Sequence, residues 1–208
     1  FPYTTLFRSM AALTGDWEQA LKPEFGKDYY RDLFKDYQLN GNTYRVLNIG
    51  MGWDEFYNKM RNNGVYQGAN PSAYADLCLS FAYYHAHAYY TGNLNGYASA
   101  ASHYSRASYF THYENDSKQV ILDRVYQELV KKKPVILQVS GSSNTSRHYV
   151  TVVGLKKNYD PSNIKETDLI IFDSYQGTLR DVGGSGRIMI TGAACHKDYT
   201  GYQIFYLK

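Results

Sequence analysis

A chain of 208 residues with a net charge of +3 is long enough for one domain with a sizeable core, or for one domain with an appendage. Its basic side chains are dispersed apart from Lys131, Lys132 and Lys133, which argues against nucleic acid as an obligate partner. No apolar run approaches the length of a membrane span. Two cysteines, Cys78 and Cys195, are too few for a disulfide scaffold.

The N-terminal part of the chain has the character of an extension unrelated to the rest. Residues 1–9, FPYTTLFRS, look like the translation of a sequencing-adapter oligonucleotide continued into the reading frame that follows. Residues 10–37 place apolar side chains at near-helical spacing, interrupted by Pro23 and Gly26, which predicts two short helical pieces. We therefore expect a non-native or chimeric extension up to residue 37 and one domain over residues 38–208.

Within this extension, one stretch carries a recognisable pattern. Its letters, W-x-x-x-L-x-x-E-F-x-K-x-Y-Y-x-x-L, are supplied by Trp17, Leu21, Glu24, Phe25, Lys27, Tyr29, Tyr30 and Leu33. The pattern resembles the extreme N-terminus of family 1 uracil-DNA glycosylases, and the resemblance stops at Asp36 or Tyr37. The water-activating motif of that family and its later histidine loop are absent from the sequence, so the apparatus for glycosylase chemistry is missing. We interpret the stretch as the start of a glycosylase reading frame that has been joined to an unrelated sequence.

The first half of the expected domain contains two predicted helices. Residues 53–64, WDEFYNKMRNNG, place apolar and aromatic side chains on one face and end in Asn-Asn-Gly, a typical helix stop. A second helix is predicted from about Asp76 to Tyr90, closed by Thr-Gly-Asn. Asp76 can accept hydrogen bonds from first-turn N–H groups, which makes it the predicted N-cap. Cys78 would then lie in the first turn.

The second half switches from helical to strand periodicity. Residues 93–117 have ambiguous periodicity and are interpreted as a loop leading into a weak helix. The next segment, KQVILDRVYQELVKKK, predicts a helix whose apolar stripe includes Val120, and Pro134 ends it. Five strand-length segments follow: PVILQVS, HYVTVVGLK, DLIIFDS, GRIMIT and GYQIFYLK. An earlier segment, NTYRVLNIGMGW, is a strand or an extended arm. Helices first and an antiparallel sheet second predict an α+β arrangement.

Three side chains in these elements have the chemical types that nucleophilic catalysis by sulfur requires. Cys78 lies at a helix start, where the helix dipole favours a thiolate. His148 opens the strand HYVTVVGLK and Asp173 closes the strand DLIIFDS. The two become neighbours if their strands are adjacent and antiparallel. An imidazole can take the thiol proton and a carboxylate can orient the imidazole, so the sequence predicts a Cys-His-Asp triad.

Such chemistry also needs hydrogen-bond donors for the oxyanion that forms on the substrate carbonyl. The backbone N–H of Cys78, at the helix start, is one candidate. A side-chain amide upstream is the other, and Gln67 is the preferred residue, with Asn70 behind it. The mechanism requires no metal and no organic cofactor.

The order of these segments resembles the C39-like branch of papain-like cysteine peptidases. The strand pattern H-[YW]-V-x-V-x-G of that family is matched by residues 148–154, directly downstream of KKKPVILQV. A later strand of the family ends in D-[SP], matched by Asp173 and Ser174. The resemblance covers about residues 67–208. It implies a papain-like fold in which an N-terminal helical part, containing the nucleophile helix, packs on a C-terminal antiparallel sheet.

The resemblance also implies an activity. It implies cleavage of a peptide or amide bond through a thioester acyl-enzyme, a peptide or peptide-like substrate, and a bacterial extracellular or cell-surface location. Two positions depart from the family pattern: Leu79 stands where many members have glycine, and residues 65–67, VYQ, fit the setting of the family's glutamine loosely. A cell-wall amidase or acyltransferase on the same architecture and a noncatalytic, tyrosine-rich binding module remain as alternatives. The sequence does not define the oligomeric state.

Other candidate side chains have simpler structural interpretations. Cys195 has a histidine beside it, but no later strand carries an aspartate that could serve it. His85 and His87 are two residues apart on a predicted helix and therefore point in different directions, which makes them poor joint metal ligands. A zinc site that also uses His103 and His112 is conceivable, and packing in an aromatic-rich region is the favoured interpretation.

Overall fold

The computed structural model describes residues 33–95, 106–140, 147–183, 189–191 and 201–208. The adapter-like and glycosylase-like stretch over residues 1–32 lies outside these ranges, as do Cys195 and His103. Helices and antiparallel strands are both present in the described ranges, and they form an α+β fold with one extended sheet. This is the fold class that the sequence predicted.

Three α-helices and nine strands make up the regular structure of the described residues. The helices are α1 (Trp53–Asn62), α2 (Cys78–Thr91) and α3 (Lys118–Val130). The strands are β1 (Phe34–Leu39), β2 (Asn42–Leu47), β3 (Phe110–Asn115), β4 (Val135–Ser140), β5 (Arg147–Leu155), β6 (Leu169–Asp173), β7 (Thr178–Asp181), β8 (Met189–Ile190) and β9 (Tyr202–Leu207). The sheet runs in the order β1-β2-β5-β4-β9-β3, with β6 beside β5, β7 beside β6 and β8 beside β4.

The centre of the sheet is formed by β4, β5 and β6. Strand β4 is buried along its whole length, and β5 is buried from Tyr149 onward. Strands β5 and β6 are antiparallel, with Leu155 opposite Leu169 and Thr151 opposite Phe172. Because this register runs the end of β6 toward the start of β5, the side chains that follow Phe172 come close to those that precede Thr151.

Helix α2 is buried on nearly every side and packs on β4 and β5. One side of the helix contributes Phe81, Tyr84 and Ala88 to the main apolar core. Another side places Leu79 in a second cluster with Tyr149 and other sheet residues, and Cys78 packs against that cluster. A helix that is apolar all round belongs in the interior, so packing fixes the position of its first residue, Cys78.

The start of α2 differs from the sequence prediction, whereas its end agrees with it. The helix begins at Cys78 with Leu77 at the N-cap position, so the prediction that Asp76 is the N-cap was wrong. Asp76 has φ +62°, in the left-handed region that Asp tolerates better than most residues, and it lies one residue before the cap. At the other end Gly92 has φ +72° and its N–H donates to Ala88 O at 2.9 Å, as a glycine cap does.

Several strands form where periodicity predicted none. Strand β1 pairs with β2 where helix was expected, and β3 pairs with β9 where a loop and weak helix were expected. Strand β7, with a single fully buried side chain, Leu179, was not predicted at all. All three lie at sheet edges and each has a single buried side chain, so they lack the alternation that marks a half-buried strand. In the described chain β1 and β2 precede α1 and β3 lies between α2 and α3, while β4 to β9 all follow the three helices, which is the predicted arrangement of a helical part followed by an antiparallel sheet.

The expected domain start at residue 38 stays a prediction. Strand β1 begins at Phe34, four residues earlier, and Leu33 and Phe34 are both buried in the main core.

Helix α3 forms where it was predicted, with a small correction to its apolar face. Ser117 caps it by accepting a hydrogen bond from the Val120 N–H at 3.5 Å. The Val120 side chain is 39% exposed, so its assignment to the apolar stripe was wrong. Ile121, Leu122 and other residues farther along the helix are buried instead, because α3 presents that side to the sheet.

Candidate active site

The centre of the site is a hydrogen bond between the histidine at the start of β5 and the aspartate at the end of β6. His148 Nε2 lies 2.9 Å from Asp173 Oδ1. The two residues are 25 positions apart in the sequence, and the antiparallel register of β5 and β6 brings them together, as the strand periodicity predicted. With Nε2 turned to the carboxylate, Nδ1 is the ring nitrogen that remains for another partner.

Asp173 is held by more than the histidine. The backbone N–H groups of Tyr175 and Gln176 donate to its Oδ1 at 2.9 and 3.3 Å. Arg180, on β7, donates from Nη1 to Oδ2 at 2.9 Å. A buried carboxylate with this set of donors has its charge and its orientation fixed before any substrate arrives.

Ser174, directly after the aspartate, ties the same corner to β5. Its Oγ donates to Tyr149 O and lies 3.4 Å from His148 Nε2. Its carbonyl accepts the N–H of Gln67 at 2.8 Å, and the next carbonyl, of Tyr175, accepts the N–H of Gly68 at 2.8 Å. The end of β6 therefore connects the His-Asp pair to the segment that contains Gln67.

Cys78 is the first residue of α2 and its side chain is partly exposed and not part of a disulfide. It is near enough to the His148 side chain to raise the pKa of that imidazole. The N-cap residue, Leu77, has no side-chain acceptor, so it cannot cap the first-turn N–H groups of the helix. The structure thus brings Cys78, His148 and Asp173 into one constellation.

The two titratable partners in the sheet stabilise each other's charged form. Burial lowers the pKa of His148, but hydrogen bonds to Asp173 and Cys78 and the charges of both groups raise that pKa overall, from 6.5 to about 9. Burial raises the pKa of Asp173, but the hydrogen bond and charge of His148, and then the donors Arg180 and Tyr175 N–H, lower it overall from 3.8 to about 2. Near neutral pH the pair is therefore an imidazolium and a carboxylate.

The two amide candidates for oxyanion binding have different environments. Gln67 opens a short 3-10 helix, Gln67–Ala69, is 9% exposed, and its Oε1 has no hydrogen-bond partner among the described residues. Asn70 is exposed and its Oδ1 accepts the N–H of Ala73 at 3.3 Å, a local turn contact. Gln67 is thus the amide that is tied to the His-Asp corner through its backbone, while Asn70 is engaged in its own turn.

An exposed aromatic side chain borders the site. Tyr175 is 46% exposed, and its ring centroid lies 6.4 Å from that of His148 in an edge-on arrangement. A side chain at position 68 would collide with the backbone of Tyr175, since a Cβ on Gly68 would lie 2.5 Å from Tyr175 O. The glycine therefore allows the 67–69 segment to lie directly against the end of β6.

Two contributors to this site were missed by sequence reasoning. Arg180 was missed because β7 has too few apolar residues to be recognised as a strand. His85 was assigned to aromatic packing, and the structure adds that its Nε2 lies 2.7 Å from Val65 O, close to the Gln67 segment. The sequence of β7 itself carries no signal for Arg180, whose place beside Asp173 comes from the pairing of β7 with β6.

Two other features have no counterpart in the described ranges of the chain, a metal centre and a membrane-spanning helix. Over these ranges, no three histidine, cysteine, aspartate or glutamate side chains converge in a way that could hold a metal ion. None of the helices in the same part of the chain is both long enough and apolar enough to cross a membrane.

A buried helix that begins with a cysteine and faces a histidine and an aspartate on an antiparallel sheet defines the papain-like class of α+β proteins. In agreement, the model of the Peptidase_C39 like family matches residues 54–183, which is more than half of the chain. The chain belongs to this family, and at the level of the family it is therefore a cysteine peptidase. No curated protein matches the chain.

Proposed function

We propose that this protein hydrolyses a peptide or amide bond with a Cys78-His148-Asp173 triad. The observation that carries the proposal is the arrangement of three residues: Cys78 near enough to His148 to raise the pKa of its imidazole, and His148 Nε2 2.9 Å from an Asp173 carboxylate oxygen. Membership in a family of cysteine peptidases supports the same reaction class.

In the first half of the reaction, His148 holds a proton as an imidazolium and the sulfur of Cys78, as a thiolate, attacks the substrate carbonyl carbon. The tetrahedral intermediate collapses when His148 donates that proton to the leaving amine, which leaves a thioester on Cys78. Asp173 keeps the imidazole oriented and stabilises its protonated form throughout this half.

In the second half, a water molecule gives a proton to His148 and its oxygen attacks the thioester. Collapse of the second tetrahedral intermediate breaks the bond between carbon and sulfur, releases the carboxylic acid and leaves the Cys78 thiolate beside the protonated His148. Each intermediate carries an oxyanion, for which the Cys78 backbone N–H and the Gln67 side-chain amide are the proposed donors.

Labelling separates an active site from a binding module that merely keeps the fold. We suggest a Cys195→Ser background, in which Cys78 is the remaining cysteine, and treatment with iodoacetamide near pH 7. Fast alkylation of Cys78 that slows at least about tenfold in the His148→Ala variant supports the proposal, because the imidazole then activates the thiol. A thiol that stays unmodified would favour the binding module.

The bond that is cleaved is tested separately. The same Cys195→Ser protein is incubated with a peptide library and with peptidoglycan fragments, and Cys78→Ser serves as the matched control for both. Cleavage of library peptides supports a peptidase, whereas cleavage confined to the cell-wall fragments would replace it with an amidase that uses the same residues. Alkylation without any cleavage or acyl transfer would contradict the hydrolase.

A further inference from the structure

A fully buried histidine lies behind the proposed site and has no role in the reaction as described above. His85 is on α2, seven residues after Cys78, and two helical turns place both side chains on nearly the same face. Its ring packs edge-on against Phe172, the residue before Asp173, with centroids 4.8 Å apart. His85 is also close enough to Asp173 to sense its charge.

The hydrogen bond of His85 defines its protonation. Its Nε2 lies 2.7 Å from Val65 O, and a carbonyl only accepts, so Nε2 carries the proton. Its Nδ1 is buried and has no hydrogen-bond partner in the described part of the chain. Burial lowers the pKa of His85 to about 4, which keeps the ring neutral near pH 7. An apolar side chain would fill this space without burying an unpaired nitrogen, so packing alone does not explain a histidine here.

The carbonyl that receives this bond belongs to the segment that carries Gln67. From the sheet side, the N–H groups of Gln67 and Gly68 donate to the carbonyls of Ser174 and Tyr175 at 2.8 Å each. From the helix side, the hydrogen bond of His85 is the contact that ties Val65, two residues before Gln67, to the element that carries the nucleophile. The two sets of bonds together tie the Gln67 segment to α2 on one side and to the two residues after Asp173 on the other.

We propose that His85 is a positioning residue for the oxyanion-binding amide: its bond to Val65 O sets the distance between the Cys78 helix and the Gln67 segment. This inference rests on the proposed function. It predicts that losing the bond slows acyl transfer, in which an oxyanion forms, and leaves alkylation of Cys78 by iodoacetamide unchanged, because no oxyanion forms there.

The test compares two substitutions in the Cys195→Ser background. His85→Gln keeps an N–H donor near the position of Nε2, and His85→Leu removes the donor at similar volume, with His85→Met as a second donor-free variant if the leucine variant does not fold. With p-nitrophenyl acetate as the acyl donor, we expect kcat to fall about tenfold or more in His85→Leu and to stay within about threefold in His85→Gln. Iodoacetamide alkylation should stay within about twofold in both.

A double-mutant comparison shows whether the effect passes through Gln67. In a Gln67→Ala background, His85→Leu should cost no further activity, because the amide that it positions is gone. Full additivity of the two substitutions would overturn the inference, as would equal losses in His85→Leu and His85→Gln or a parallel fall in alkylation. Absence of ester turnover in the unsubstituted protein would instead overturn the proposed function, which separates the two failures.

Discussion

The two halves of the candidate site are held in place by different forces. On the sheet side, Asp173 accepts hydrogen bonds from His148, Arg180 and two backbone N–H groups. On the helix side, Cys78 follows an N-cap residue whose side chain has no acceptor, and the Gln67 side-chain oxygen has no partner among the described residues. The base and its carboxylate are preorganised by polar contacts of their side chains, whereas the nucleophile depends on how α2 packs and the Gln67 amide on the backbone bonds that hold its segment.

The sheet side of the site, with His148 and Asp173, is its polar half, and local sequence explains why the hydrogen bonds to Asp173 form there. The turn after β6 reads Asp-Ser-Tyr-Gln-Gly, and an aspartate at this place can accept the N–H groups that follow it, as turn-forming aspartates do. Gly177 supplies the left-handed conformation, with φ +61°, and its N–H donates to Asp173 O at 2.7 Å. The hairpin then returns as β7 and brings Arg180 opposite Ile171, within reach of the carboxylate. Preorganisation of this half is therefore expected to survive changes on the helix side.

The largest expected effect on turnover comes from the helix half of the site, which contains Cys78 and Gln67. Replacing Cys78 with serine should lower peptide or ester turnover by about 10⁴-fold or more, because the sulfur nucleophile is removed. Thermal unfolding should change little, since the side chain is only partly buried and serine is close in size. The control is Cys195→Ser, which should keep full turnover. Equal losses in the two variants would contradict the assignment of Cys78.

The next effect tests the polar half. Asp173→Asn should lower turnover by about 10²- to 10⁴-fold, because an amide no longer stabilises the imidazolium or holds it in one orientation. Turnover requires a protonated His148, so in the unsubstituted protein it should fall as the pH rises through about 9. In Asp173→Asn this fall in turnover at high pH, the alkaline limb of the pH profile, should move toward lower pH, because the charge that raised the pKa of His148 is gone. A pH profile of turnover measures both the loss of rate and the shift of the alkaline limb. An alkaline limb that does not move would argue against the pairing of His148 with Asp173.

The same comparison shows what periodicity can and cannot predict. The adjacency of His148 and Asp173 follows from alternation in two strongly apolar strands, which fixes both the face and the pairing. The place of Cys78 in the first turn of a helix follows from the polar-to-apolar change in its segment, and the terminal glycine marks the other end of α2. These features depend on patterns that are local to one element, and the sequence contains them.

Other parts of the site could not be predicted because they depend on contacts between elements. The bond from His85 to the Val65 carbonyl joins a side chain to a backbone atom 20 residues away and leaves no pattern in either segment. Strand β7 forms because β6 offers it an edge, so the position of Arg180 is decided by pairing rather than by its own sequence. The misplaced N-cap at Asp76 has a related cause, since packing of α2 sets where the helix begins.

A smaller effect is expected when the helix side loses its amide. Gln67→Ala should lower turnover by about 10²-fold, in the range found when one oxyanion donor is removed, and should change KM little. The pH at which turnover falls should not move, since the His-Asp pair is untouched. Gln67→Glu is a useful partner, because it keeps the size and loses the N–H donors. If Gln67→Ala keeps full turnover, the Cys78 N–H must act with a different second donor.

The smallest expected effect concerns the arginine behind the carboxylate. Arg180→Met removes a donor to Asp173 Oδ2 but leaves His148 and two backbone N–H groups on Oδ1, so turnover should fall only about three- to tenfold. Loss of the cation raises the pKa of Asp173, yet the carboxylate stays ionised at neutral pH. His148 then faces a less compensated negative charge, so its pKa rises and the alkaline limb of turnover moves to higher pH.

The direction of that shift is opposite to the shift expected for Asp173→Asn, and this makes the Arg180 variant a sharp check on the polar half. Arg61→Met is the matched control, because Arg61 donates to the Gln176 carbonyl at 2.9 Å, in the turn after Asp173, without a bond to the carboxylate. Its alkaline limb should stay where it is. A limb that moves to lower pH in Arg180→Met would mean that the arginine holds the aspartate in place for His148, and that the polar half is less preorganised than its hydrogen bonds indicate.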